Sequence, residues 1–359
     1  SIDSFGKINP KANKGAILNC RILWSFSAAY NYSKNAEYLK LAERAFNYVA
    51  NFFIDKRNGG VFWELDYLGK PINTRKQAYA LGFAIYGLSE YYRASGNEKA
   101  LLLAQEMFWT IEKNFFDPQY GGYIEALSEN WNHLDDMRLS LKDANEPKSM
   151  NTHLHILEPY TNLYRCWKNP ILAESIKKII RVFLDRIIDT KTAHFNLFFE
   201  NDWTVKSDII SYGHDIEGSW LLAEAAEVLA DEALVAEVNE MAVRMVDVTL
   251  NEGTDTDGSI FYETEVRHTD TDKHWWPQAE AMVGYVNAWQ ITGNKKYLTE
   301  AEKVWNFIDL YIIDRKNGEW FGRVDRNGKP ILEDEKAGFW KCPYHNSRAL
   351  IEVCNRLKK

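Results

Sequence analysis

The chain has 359 residues, 46% hydrophobic and 26% charged, with only 20 glycines and 9 prolines, a balance that excludes disorder, collagen-like repeats and low complexity. A net charge of −8 offers no basic field to collect phosphates, which argues against nucleic acid and anionic membranes as partners. No apolar run reaches the roughly 20 residues a bilayer span needs, and Cys20, Cys166, Cys342 and Cys354 are too dispersed for a disulfide framework, so a reducing, cytoplasmic setting is expected.

In chain order, the opening SIDSFGKINPKANKG is neither a signal peptide nor a helix and reads as the tail of a hairpin loop. A repeat then begins. Five stretches open on Asn or Asp at 35, 97, 169, 231 and 294, at intervals of 62, 72, 62 and 63. Each closes twenty positions later, at Asp55, Asp117, Asp189, Asn251 and Asp314. Within them apolar residues recur at helical spacing, as at Leu298, Ala301, Val304, Trp305 and Ile308, which predicts outer helices with one buried face.

Before each opening lies a second helical stretch, apolar and aromatic all round, such as QAYALGFAIYGLSEYY or WPQAEAMVGYVNAWQI, and a sixth, CPYHNSRALIEVC, ends the chain. Such helices are buried on every side. Turn-rich segments with aromatic alternation, RNGGVFWELDYLGKP and KNGEWFGRVDRNGKP among them, predict short hairpins at one end. Six inner and five outer helices predict an all-α (α/α)6 barrel over residues 1–359 as a single domain, with its first outer helix expected to be absent from this chain. An open solenoid is the structural alternative. Pro159, inside the third inner stretch, should kink its helix.

Aligning the repeats shows what stands at equivalent inner positions. Fourteen before each opening come Arg21, Phe83, His155, Glu217 and Glu280, and nearby levels add His214, Tyr79, Asn151 and Trp276, with His345 starting the sixth helix. All sit near helix N-termini and so converge on one end of a central cavity, where the helix ends favour developing negative charge. Burying these polar groups unpaired would cost several kcal/mol each, so a function is the economical account. A lone histidine is usually structural, but three at one level are not easily so. Glu217, three residues after His214, could orient its imidazole, and Trp275, Trp276 and Trp340 could stack on sugar rings or simply fill the core. His133 and His194 have no equivalents in the register and are set aside. The HxH of His153 and His155 points to opposite sides of a helix, and the CxxH of Cys342 and His345 lacks a second ligand pair, so no metal is expected. No phosphate loop or dinucleotide fingerprint appears, so no cofactor is expected either.

At these residues the sequence resembles the N-acylglucosamine 2-epimerase superfamily, and within it the cellobiose 2-epimerase branch. The resemblance rests on NCRILWSFSAAY at 19–30, MNTHLHILEPYTNLY at 150–164, SYGHDIEGSWLL at 211–222, WWPQAEAMVGYVNA at 275–288 and GFWKCPYHNSR at 338–348. It implies an (α/α)6 barrel that inverts C2 of the reducing-end sugar of a β-1,4-linked disaccharide, such as cellobiose or mannobiose. It further implies that His214 and His345 are the acid/base pair, that His155 assists, and that Arg21 binds the O1/O2 edge. Asn151, Glu217 and Glu280 would position groups, and Trp276 and Trp340 would stack on sugar. Trp275, Tyr79, Tyr262 and Glu263 would lie near the substrate. Two histidines on opposite walls suit this chemistry, because inversion removes a proton from one face of C2 and returns one to the other. Two other readings compete: a glycoside hydrolase on the same toroid, using Glu217 and Glu280, and a non-catalytic sugar-binding protein.

Overall fold

In the computed structural model, which describes residues 1–358, the repeat signature has a local cause at both ends. Asn35, Asn97, Asn169 and Asp231 are N-caps, accepting from the backbone N–H of Glu37, Ala100, Ile171 and Leu234 at 2.8–3.3 Å. They satisfy amides that a helix start leaves unpaired. Asp55, Asp117, Asp189 and Asp314 accept from backbone amides two and three residues on, which begins the hairpin turn. The fourth copy departs from the sequence expectation. Its helix runs past Asn251 to Glu252, and Asp255 takes the closing role instead, bonded to the buried Lys273 at 3.1 Å.

The helices in chain order are α1 (Ala16–Ser33), α2 (Ala36–Tyr48), α3 (Ala78–Ser95), α4 (Glu98–Asn114), α5 (Met150–Cys166), α6 (Pro170–Val182), α7 (Tyr212–Leu229), α8 (Glu232–Glu252), α9 (Trp275–Thr292), α10 (Lys296–Phe307) and α11 (His345–Arg356). Odd-numbered helices are inner and even-numbered ones outer; α2, α6 and α10 each end in a five-residue π turn. From Ala78 to Tyr91, α3 has no exposed residue, the all-round burial its composition predicts. Each inner helix packs on the next, and α11 packs back on α1. The ring therefore closes and the open-solenoid alternative is overturned. Six inner and five outer helices stand among the described residues, and none is long and apolar enough to cross a membrane.

The hairpins link neighbouring repeats. The two residues before an inner helix pair with the hairpin of the following repeat: Lys14–Gly15 with Glu64–Leu65, Lys76–Gln77 with Ala126–Leu127, Lys148–Ser149 with Phe198–Phe199, and Lys273–His274 with Arg323–Val324. The opening segment forms a small bridge of its own, Ile2 to Ile8, and a second to Ala337. Buried ion pairs tie three hairpin bases to the segments leading into the next inner helix: Lys76 to Asp55 at 2.7 Å, Lys148 to Asp117 at 2.6 Å, and Lys336 to Asp314. Charges taken out of water need such partners.

Pro159 does not end α5, which continues to Cys166. Proline removes the amide that would have bonded the carbonyl of His155, four residues earlier. That carbonyl lies against Gly82 of α3, so close that a Cβ there would stand 2.2 Å from it. Only glycine fits at this crossing.

Candidate active site

The N-terminal ends of the inner helices and their hairpins enclose a cavity of about 710 Å3. Arg21, Tyr79, Asn151, His155, His214, Glu217, Tyr262, Glu263, Trp275, Trp276, Trp340 and His345 all line it. The fold therefore brings every expected site residue to the cavity wall except one. Glu280 is fully buried behind the wall, where it holds His345.

The three histidines share one arrangement: Nδ1 is held from behind. His345 Nδ1 lies 2.6 Å from Glu280 Oε1, His155 Nδ1 3.1 Å from Glu158 Oε2, and His214 Nδ1 2.8 Å from Ser211 Oγ. In a neutral ring this leaves Nε2 as the nitrogen for the cavity. Burial, with a smaller effect of His155, pushes His214 down to about 3. Burial and then the charges of Arg21 and Arg348 push His345 well below the usual imidazole range. Both rings are thus neutral at ordinary pH. Trp276 lies beside each of them, its ring centroid 4.7 Å from that of His214 and 5.8 Å from that of His345. Gly213 makes room for this indole, which a Cβ would meet at 2.5 Å.

Behind the wall, Arg348 on α11 collects three carboxylates. Its guanidinium donates to Glu158 Oε1, to Glu217 Oε1 at 2.5 Å and to Glu280 Oε1 at 2.7 Å. Tyr344 Oη donates to Glu158 at 2.5 Å. Burial alone would raise Glu158, but Arg348 and His155 outweigh it and hold this carboxyl at about 2. Glu217 rises to about 7 through burial and the neighbouring charge of Glu280, with Arg348 opposing. Glu217 does not orient His214 as its spacing suggested: Ser211 occupies that Nδ1, and Glu217 instead lies 3.9 Å from His345 Nδ1.

Arg21 is buried and spans two walls, donating to the Trp340 carbonyl at 3.0 Å and to Tyr79 Oη at 2.9 Å. Its Nε, Asn151 Oδ1 and Trp275 Nε1 are buried without protein partners, which leaves unspent hydrogen-bonding capacity beside the cavity. Tyr262 stacks on His274, with centroids 3.8 Å apart. Tyr262 adjoins Glu263, whose carboxyl burial raises to about 7. His153 is structural, its Nε2 accepting from the Tyr123 amide at 2.9 Å, and His194 holds Asp215 at 2.7 Å away from the cavity lining. His133 is exposed on a loop.

Two alternatives lose their geometry here. Glu217, Glu280 and His345 bring potential ligand atoms within 4.8 Å of one another, but both carboxylates already converge on the Arg348 guanidinium. The same two carboxylates cannot flank a glycosidic bond, because that needs them roughly 5–9.5 Å apart across substrate and Glu280 does not reach the cavity.

Sequence reasoning missed Arg348, Glu158, Tyr344, Ser211 and His274. The available signal for Arg348 was its place one helical turn after His345, on the same face. It also missed the loop Arg138–Ala144, which covers one side of the cavity.

Comparison with known proteins fits this geometry. A family model described as N-acylglucosamine 2-epimerase matches residues 1–349. The chain is 50% identical over 349 residues to a cellobiose 2-epimerase of Bacteroides fragilis, covering 97% of this chain and 89% of that protein. A Ruminococcus albus cellobiose 2-epimerase is 41% identical, with 98% and 90% covered. The solved cellobiose 2-epimerase of Bacillus thermoamylovorans superposes with a TM-score of 0.95 at 37% identity, covering 99% of this chain and 91% of that one. With the helical toroid, the histidine wall and a family match along almost its whole length, this chain belongs to the N-acylglucosamine 2-epimerase family.

Proposed function

We propose that the protein inverts C2 of the reducing-end sugar of β-1,4-linked disaccharides, converting cellobiose to 4-O-β-glucosyl-mannose or mannobiose to 4-O-β-mannosyl-glucose. The observation that carries this reading is the pair of neutral, cavity-facing imidazoles, His214 and His345, placed beside one tryptophan ring. Once the sugar ring opens, the C2 proton lies next to an aldehyde and is acidified by it. One imidazole takes that proton through Nε2, and the charge left behind spreads over a cis-enediolate. The opposite imidazole, charged by a solvent proton as negative charge builds, returns a proton to the other face.

Arg21 and His155 support the developing oxyanion. Fixed donors of this kind act strongly in a dry site because they need not reorganise. Trp276 and Trp340 offer faces for the sugar, Asn151, Tyr79 and Trp275 offer hydrogen bonds, and Tyr262 with Glu263 add polar groups to the cavity lining. The scheme calls for no metal and no organic cofactor. The four cysteines form no disulfide, which supports a cytoplasmic, reducing location.

Incubation with cellobiose or mannobiose in deuterated water tests the reading. Epimerised product carrying deuterium at C2 is expected; release of monosaccharide, or no exchange at C2, would overturn it.

A further inference from the structure

Arg348 is 1% exposed and lies behind the cavity wall, so it cannot touch substrate. Two of the three carboxylates it contacts nevertheless hold histidines. Glu280 Oε1 accepts from His345 Nδ1 at 2.6 Å and from Arg348 Nη2 at 2.7 Å. Glu158 places one oxygen on His155 Nδ1 and the other on Arg348 Nη1. We propose that Arg348 is a positioning residue for the C2 chemistry: through the carboxylates it shares with His155 and His345, it fixes the orientation of both rings with Nδ1 turned away from the cavity, and it keeps the His345 ring free to act as a base. This deepens the epimerase reading above and rests on it.

A carboxylate on Nδ1–H does two things at once. It fixes the tautomer, and it also attracts a second proton to the ring. The second effect would remove the Nε2 lone pair that a base needs. Arg348 separates the two, because the same oxygen that orients His345 is already matched by a guanidinium.

The charged and titratable groups facing His345 are Glu280 from α9, Glu217 and His214 from α7, Arg21 from α1, His155 from α5, and Arg348 with Tyr344 from its own segment. Two guanidiniums therefore stand against two carboxyl groups whose negative charge burial disfavours, and an imidazolium would be an extra cation among them. Remove Arg348, and His345 faces Glu280 and Glu217 with Arg21 alone opposing. Its affinity for a proton must then rise.

The test is the pH dependence of kcat/KM for C2 inversion, whose acid limb reports the free enzyme's base. The wild-type limb is expected below pH 6.5, the ordinary imidazole value. In Arg348→Gln it should move up by about one to two units, the size a lost neighbouring charge produces, and in Arg348→Lys it should stay nearer the wild type. A folded Arg348→Gln with a lower melting temperature but an unmoved limb would overturn the proposal in favour of a purely structural role.

Because that variant could fail to fold, nitrogen NMR of histidine-labelled wild-type protein supplies a second arm. A neutral Nδ1–H tautomer at His345 near pH 6 is expected, and a charged ring or an Nε2–H tautomer there overturns the proposal. These outcomes are independent of the epimerase reading, which fails only if wild-type protein places no solvent deuterium at C2.

Discussion

Two buried histidine–carboxylate pairs stand at nearly the same distance and behave in opposite ways. His194 meets Asp215 at 2.7 Å, and His345 meets Glu280 at 2.6 Å. Burial opposes charge on both rings. At His194, Asp215 and then Glu252 outweigh it and the proton affinity rises. At His345, burial is reinforced by Arg21 and Arg348, and the proton affinity falls. Contact with a carboxylate therefore does not decide the state of an imidazole; the sum of charge around the pair does. One pair is a structural tie between a hairpin, α7 and α8, and the other is poised as a base.

The largest expected effect separates these two directly. His345→Ala and His214→Ala should each lower kcat for C2 inversion by roughly 10²–10⁴-fold, the range for a lost acid or base, with helix content unchanged by circular dichroism. Retained turnover in either would break the distinction. Arg21→Met should cost about 10²–10³-fold in kcat, as for a lost oxyanion donor; a change confined to KM would make Arg21 a ground-state binder only.

Smaller effects are read in stability. Gly82→Ala drives a methyl into the His155 carbonyl and should cost about 1–3 kcal/mol by denaturant titration, with activity falling as His155 is displaced. His194→Gln should leave kcat unchanged. Because the folded ring binds its proton more tightly than the unfolded one, its contribution is fully present below about pH 6.5 and is lost as pH rises through the folded value. The variant's melting deficit should accordingly be greatest near pH 5.5 and shrink by pH 8.5; a deficit constant with pH would mean that His194 is not charged in the folded protein.

The barrel was legible because its cause is local and repeated. An N-cap Asn and a turn-forming Asp recur in most units, and inner helices are apolar all round. The cavity residues were legible for the same reason, since equivalent positions on parallel helices converge. What escaped was pairing across the ring. Glu217 and His214 are three apart on α7, yet Glu217 bonds Arg348, 131 positions away, because Ser211 had already taken the imidazole. Spacing within one helix says nothing of which distant helix supplies a competing partner. The fourth closing residue was misplaced for a simpler reason: α8 runs on past Asn251 where three other outer helices change to a π turn.

The buried lysine–aspartate pairs bear on how such an enzyme could change its diet. Lys148 and Asp117 bracket the long excursion that accounts for the one 72-residue interval, and the segment Arg138–Ala144 that leans over the cavity belongs to it. With both feet of that excursion clamped together, residues could be added or removed at its crest without spreading the helices that hold the histidines. Preference among sugars can drift at the mouth while the proton chemistry beneath stays put.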